Sequence, residues 1–331
     1  MATLPASSGH LLKAALLALM AAAAIGAQAQ YPAKPITLVV AFPPASDADL
    51  AARNLAQNAP KYLGAQPIVV MNRPGASGAI GTQSVRTAAA DGHTLLSARI
   101  ATHAILPAMD SKTPYKWNDF TILSVLEINP YVCAVTSDGP YKSMQDLMAE
   151  IRKAPGKINF STAGVGTLQN LGPQYLFSLA GLPKDAAVGI HYKGSPELVT
   201  SLLGGQVQFV CNNLGTLLTH IQSGALRGVL TATHDRLKEL PAVPTARELG
   251  WPAFEKLAAW SALVGPPGLP REVTDRWADA LGKLARDAEW LAGNEKIGGI
   301  PAIRSAADSE RFMREQYELY DQLVGRLGIR E

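Results

Sequence analysis

The chain has 331 residues, of which 47% are hydrophobic and 17% charged, and a formal net charge of +3. That composition belongs to a globular protein of one large or two medium domains, with apolar residues enough for a sizeable core. The weak, dispersed charge and the lack of any Lys/Arg run exclude a nucleic-acid footprint.

The chain opens on a leader. His10 and Lys13 precede the apolar run AALLALMAAAAI, and Ala27-Gln28-Ala29 forms an A-x-A site. Residues 1–29 therefore read as a secretory signal peptide cut before Gln30. The run is too short and alanine-rich for a good membrane anchor, and no cysteine lies near the site to carry a lipid. No later segment reads as a span, so an exported, soluble chain is expected.

Beyond the leader, strand-like runs alternate with helical ones. ITLVVAF stops at a double proline, and FPPASDAD leads into a helix expected from Asp49 to Leu63. QPIVVMN precedes a glycine-rich turn and a helix around Ile80 to Ala89. HTLLSA, YVCAVT, INFSTA, GIHYK, VQFVCNN and LRGVLTAT follow as strands, most with a helix behind them. Such alternation predicts α/β architecture with largely parallel sheets, whose ligands bind beyond the carboxyl ends of the strands. The C-terminal part is helical instead. There Met313, Tyr317, Tyr320, Val324 and Leu327 share one face, and Ser305 with Asp308 reads as an acidic variant of a capping box. Cys133 and Cys211 both sit in apolar, strand-like runs. Export permits a disulfide, but the residue pattern favours two buried thiols.

Catalytic signatures are missing. There is no G-x-S-x-G elbow, no C-x-x-C and no histidine pair at metal-ligand spacing. Of the scattered histidines only His103 and His191 fall near strand ends. INFSTAGVGTLQNLG begins like a dinucleotide fingerprint, but Gln169 stands where a third glycine or alanine is needed, and Asp185 lies in a polar loop. No catalytic residue, metal ligand or cofactor is expected. The loop retains its physics: Ser161, Thr162, Thr167 and the backbone N–H groups around Gly164 can hold a carboxylate at a helix start. Loops 43–49 and 161–167 are then two anion-binding turns of one kind. Set in different domains, they could grip an acid across a cleft.

The residues also carry a family resemblance. YPAKPITLVVAFPPASDADLAAR resembles the mature start of the substrate-binding proteins of tripartite tricarboxylate transporters, the Bug or TctC family. Its pattern there runs Y-P-x-K-P-I-x-L-V-V-P-F-P-P-G-G-x-x-D-x-x-A-R. VVMNRPGASGAIGTQSV, DGHTLL, THAILP, PGKINFSTAGVGT, YKGSPELVTSLLGGQVQF and AWSALVGPPGLP continue the match along the mature chain. The resemblance implies a periplasmic binding protein of type II fold, with two lobes joined by two crossovers near Pro130–Val132 and Glu255–Trp260. Lobe 1 would hold residues 30–131 and 256–331, and lobe 2 residues 132–255. It implies capture of a small organic acid, a di- or tricarboxylate or an aromatic acid, by a periplasmic monomer that serves a membrane permease. A ligand sensor acting on a membrane receptor, or an exported enzyme of organic-acid metabolism, are the alternatives.

The ligand-binding residues so implied are Phe42, Pro44, Ala45, Ser46 and Asp49 in the first jaw, and Arg99, Thr102 and His103 after the third strand. Ser161, Thr162, Gly164 and Thr167 form the second jaw, with Tyr192, Lys193, Asn212 and Asn213 beside it. Ala45-Ser46 replaces the family's Gly-Gly and restricts positive φ. Asp49 matches the family aspartate, and capping of the following helix is its first expected role. Arg99 is open to two readings, a bidentate partner for a second ligand carboxylate or a structurally paired arginine. Asn212 stands where many relatives carry Asp, which argues against amino-acid ligands.

Overall fold

The computed structural model describes residues 31–64 and 66–330. The expected leader and its cleavage before Gln30 lie outside the described residues. The chain begins with β1 (Ile36–Val40), α1 (Asp47–Asn58), α2 (Pro60–Leu63), β2 (Ile68–Asn72), α3 (Ala79–Arg86), β3 (Thr94–Arg99), α4 (Leu106–Met109) and β4 (Thr121–Asn129). Then come β5 (Tyr131–Thr136), α5 (Met144–Lys153), β6 (Asn159–Thr162), α6 (Leu168–Leu179), β7 (Val188–His191), α7 (Ser195–Leu203), β8 (Phe209–Asn213), α8 (Leu214–Gln222) and β9 (Leu226–Thr231). β10 (Ala259–Gly265), α9 (Arg271–Leu284), α10 (Ala288–Lys296), β11 (Ile300–Pro301) and α11 (Ala306–Leu327) complete it.

The strands sort into two sheets, ordered β11-β4-β10-β3-β1-β2 and β7-β6-β8-β5-β9. The chain passes from the first to the second at Pro130, between β4 and β5. It returns through a 3-10 turn, Pro252–Lys256, that leads into β10. β1 lies parallel between β2 and β3, and β6 parallel between β7 and β8. β10 is antiparallel to β3 and β4, and β5 is antiparallel to β8 and β9. The sheets are therefore mixed, where alternation alone had suggested largely parallel ones. The crossings explain the difference. β1, β3, β6 and β8 run toward the gap between the sheets, whereas β5 and β10 start at the crossings and run away from it.

Burial follows position in the sheet. Central β10 is buried at every residue, Trp260 included. Edge strand β2 alternates, leaving Val69 and Met71 exposed. Trp277 and Trp290 anchor α9 and α10 in the core of the first lobe. The apolar stripe of α11 is buried at Met313, Tyr320, Val324 and Leu327, Tyr317 stacks on Trp117, and Ser305 caps the helix by accepting from Asp308 N. The helix expected from Asp49 to Leu63 is split at Ala59, because Pro60 has no N–H to continue the ladder. At the back of the gap, Gly215 meets the end of α10 so closely that a Cβ would lie 1.8 Å from the Ile297 carbonyl oxygen.

Cys133 and Cys211 form a disulfide, which corrects the expectation of two free thiols. They face each other on neighbouring strands β5 and β8, with Cα atoms 3.9 Å apart although 78 positions separate them. That adjacency is set by strand order, which residue spacing does not reveal. Among the described residues, no helix is long and apolar enough to cross a membrane.

Candidate functional site

The first jaw is the turn between β1 and α1. Ser46 is the N-cap of α1: its hydroxyl accepts from Asp49 N and donates to Pro43 O. Asp49 is thus not the cap itself. It lies in the first helical turn and reaches back, accepting from Ala45 N at 2.9 Å, Arg53 Nε at 2.8 Å and Asn72 Nδ2 at 2.9 Å. Burial opposes its ionisation, but these hydrogen bonds prevail and hold its carboxyl below the usual range. Asn72 also donates to Phe42 O, so Asp49 and Asn72 together fix the loop. Ala45 occupies the left-handed region at φ 60°, where a glycine would be easier.

The second jaw joins β6 to α6. Gly164 takes φ 125°, and its carbonyl accepts from the hydroxyls of Thr162 (3.1 Å) and Thr167 (2.7 Å). Both threonines therefore shape the loop. Thr167 is the N-cap residue of α6 by backbone geometry, with no side-chain cap bond. The 3-10 turn Ala76–Gly78 reaches this jaw from the first lobe, where Ser77 Oγ accepts from Gly166 N at 3.4 Å.

The starts of α1 and α6 face one cavity of about 30 Å³, lined by Phe42, Ser46, Asp47, Ala48, Arg99, Ile100, Ala101, Ala163, Thr167, Leu168, Gln169, Gly194, Ser195, Asn213 and Ala259. Free N–H groups in the first turns of two helices make such a spot attractive to an anion. Two opposite charges, Arg99 and Asp47, stand on its wall. Arg99, buried at the end of β3, donates from Nη2 to Asp47 Oδ2 at 2.5 Å and from Nη1 to Glu127 Oε1 at 3.4 Å. Asp47 also accepts from Ser195 Oγ at 3.1 Å and from Asn213 Nδ2. One carboxylate of the first lobe thus binds two side chains of the second. Burial raises the pKa of Glu127, Arg99 pulls it back, and Asp47 pushes it up again.

The expected site residues divide accordingly. Phe42, Ser46, Arg99, Thr167 and Asn213 line the cavity. Tyr192 and Lys193 line a second, more open one of about 500 Å³, which Phe42 and Ala163 share with the first. Pro44, Ala45, Thr162 and Gly164 belong to the jaws without lining the first cavity. Asp49, Thr102, His103, Ser161 and Asn212 are not brought to it. Ser161 donates to Leu198 O within the core. Thr102 bonds the Arg99 backbone at both N and O. Asn212 Oδ1 accepts from Gln169 Nε2 and from Asn213 N, so it acts behind Gln169. Arg99 is paired, with Glu127 and Asp47 each accepting from one Nη, and it also lines the cavity with N–H groups to spare. Sequence reasoning passed over Asp47, Glu127, Ser195, Gln169 and Ser77. Asp47 was the most findable of these, an acid in the first turn of a helix that opens a suspected anion site.

His103 lies in a π-helical turn, Ala101–Ile105, and is fully buried against Phe120, with ring centroids 4.7 Å apart. Desolvation lowers its pKa to about 3, so the ring is neutral and supplies no charge to a ligand. Because the folded pKa lies below the unfolded 6.5, the unfolded state binds the extra proton between these values. Stability is then intact above pH 6.5 and falls toward pH 3, by at most about 1.4 kcal/mol per pH unit from this group. His103→Gln will flatten that acid limb in melting temperatures measured against pH. An unchanged slope would contradict this role.

Among the described residues, no three His, Cys, Asp or Glu side chains are grouped so as to hold a metal ion. Comparison with known proteins agrees with this architecture. The sequence profile described as "Tripartite tricarboxylate transporter family receptor" matches residues 51–329. Protein BugT of Bordetella pertussis is 33% identical over 303 residues, covering 91% of each chain. Two solved structures from Rhodopseudomonas palustris superpose closely, each 25% identical. MatC with bound malate gives a TM-score of 0.83 over 89% of this chain and all of its own. A protein with adipate gives 0.84 over 90% of this chain and 98% of its own. With its two mixed sheets, two crossings and facing strand-to-helix jaws, this chain belongs to the tripartite tricarboxylate transporter family of receptors.

Proposed function

We propose that the protein captures a small organic acid between its two lobes, without catalysis, and presents it to a membrane permease of the tripartite tricarboxylate type. The observation that carries this reading is the pair of helix N-termini, α1 from one lobe and α6 from the other, facing a single cavity. Each offers uncommitted backbone N–H groups to a carboxylate. The malate- and adipate-bound relatives support the ligand class. The expected leader and the family's receptor role support a periplasmic location.

In this reading residues 30–131 with 256–331 move as one body and 132–255 as the other. Pro130 and residues 257–258 act as hinges, and the contact of Gly215 with Ile297 serves as the pivot. A thermal-shift screen of malate, adipate, aromatic acids and hydroxy acids tests it. A ligand of the folded state should add about 2.7 kcal/mol at a hundredfold excess over its Kd, and scattering with saturating acid should give a smaller radius of gyration. A screen in which no acid raises the melting temperature contradicts the proposal.

A further inference from the structure

We propose that Asp47 sets the ligand class, so that the site takes an acid with one carboxylate and a hydrogen-bond donor at its far end and refuses a second carboxylate. This inference rests on organic-acid capture at the same cavity and concerns which acid fits.

The charges near the cavity carry it. Arg99 is the cation of the lining, and two acidic side chains, Asp47 and Glu127, already hold its guanidinium. A second ligand carboxylate would have to displace Asp47 from Arg99 or lie beside it. With the lobes together, Ser195 and Asn213 of the other lobe hold the same carboxylate, so closure returns Asp47 to Arg99. Like charges at such a spot, shielded from water, repel strongly. Beyond Arg99 the attraction for an anion is partial charge at helix starts, those of α1 and α6 and, through Gly194, Ser195 and Asn213, those of α7 and α8. Set against the full negative charge of Asp47, that balances one carboxylate better than two.

The far end follows from counting acceptors. An ionised carboxylate offers about four lone-pair positions and no donor. Arg99, Ser195 and Asn213 fill three of those on Asp47. The open position accepts a donor, and a ligand hydroxyl or ammonium supplies one where a carboxylate cannot. Gln169, which donates its Nε2 to Asn212, leaves its own carbonyl oxygen for the same kind of group.

The test titrates straight-chain α,ω-dicarboxylates of three to six carbons against ω-hydroxy acids of equal length, with wild type and Asp47→Asn. Wild type should bind its best hydroxy acid about tenfold or more tighter than the matching diacid. Asp47→Asn, which keeps the size and removes the charge, should reverse the order by freeing Arg99 toward the diacid. Asp47→Ala should show the same reversal. A wild type that prefers the diacid overturns the inference while leaving organic-acid capture intact, as does an Asp47→Asn protein whose ratio stays within about threefold. Binding of neither series to wild type overturns both. The wild-type ranking decides even if a variant fails to fold.

Discussion

Arg99→Ala will destabilise the protein by about 3–5 kcal/mol near neutral pH, the usual cost of orphaning a buried charge. Arg99 is buried at the end of β3, and its partner Glu127 is buried in the neighbourhood of β10. Without the guanidinium, Glu127 keeps its desolvation and loses its counter-charge, so its already raised pKa rises further. A folded pKa above the unfolded 4.5 means that the folded state holds the proton more tightly. The variant's stability is then best preserved below about pH 4.5 and falls as pH rises through the folded pKa. The gap between variant and wild type should accordingly widen from pH 5 to pH 8. Arg99→Met with Glu127→Gln should recover most of the loss, since a neutral pair of similar volume leaves no buried charge. Denaturant melts at several pH values measure all three proteins. A single variant within about 1 kcal/mol of wild type at pH 8 would show that Arg99 holds no essential charge balance.

Removal of the disulfide comes next in size. Cys133→Ala with Cys211→Ala opens a loop of 78 positions. In the chain-entropy description that costs about 4–5 kcal/mol, through the freedom returned to the unfolded state. The ladder between β5 and β8 should survive, because Tyr131, Val132 and Ala134 pair across it as well. The expected result is therefore a folded protein with an unchanged circular-dichroism spectrum and a lower denaturation midpoint. Equal midpoints for the double variant and the oxidised wild type would contradict this.

What the sequence made legible was local. Strands such as YVCAVT and the capped, striped helix α11 follow from residue period and caps. Both jaws were visible as apolar runs that break into small and hydroxyl residues before a helix. Strand direction was not legible, because it depends on where the chain crosses between sheets. The disulfide escaped for the same reason, since β8 lies beside β5 only through the fold. In the site, Asp49 drew attention because it matches the family pattern, yet it works beneath the loop. Asp47 fills a position that the pattern leaves open, so its importance emerges only when Arg99, Ser195 and Asn213 converge on it. Arg99 could be read as paired or ligand-facing, and its acidic partners Asp47 and Glu127 emerge only in space, where it lines the cavity as well.

The central claim is that an acid is held between the N-termini of α1 and α6. A crystal structure of the protein with the acid that most raises its melting temperature tests this directly. The predicted result is a carboxylate within hydrogen-bonding distance, about 2.7–3.2 Å, of backbone N–H groups in the first turns of both helices, at Asp47 or Ala48 and at Leu168 or Gln169. An acid seated instead in the groove behind the hinge, beside Lys238 and Glu295, with the space between the two helix starts unused, would contradict it.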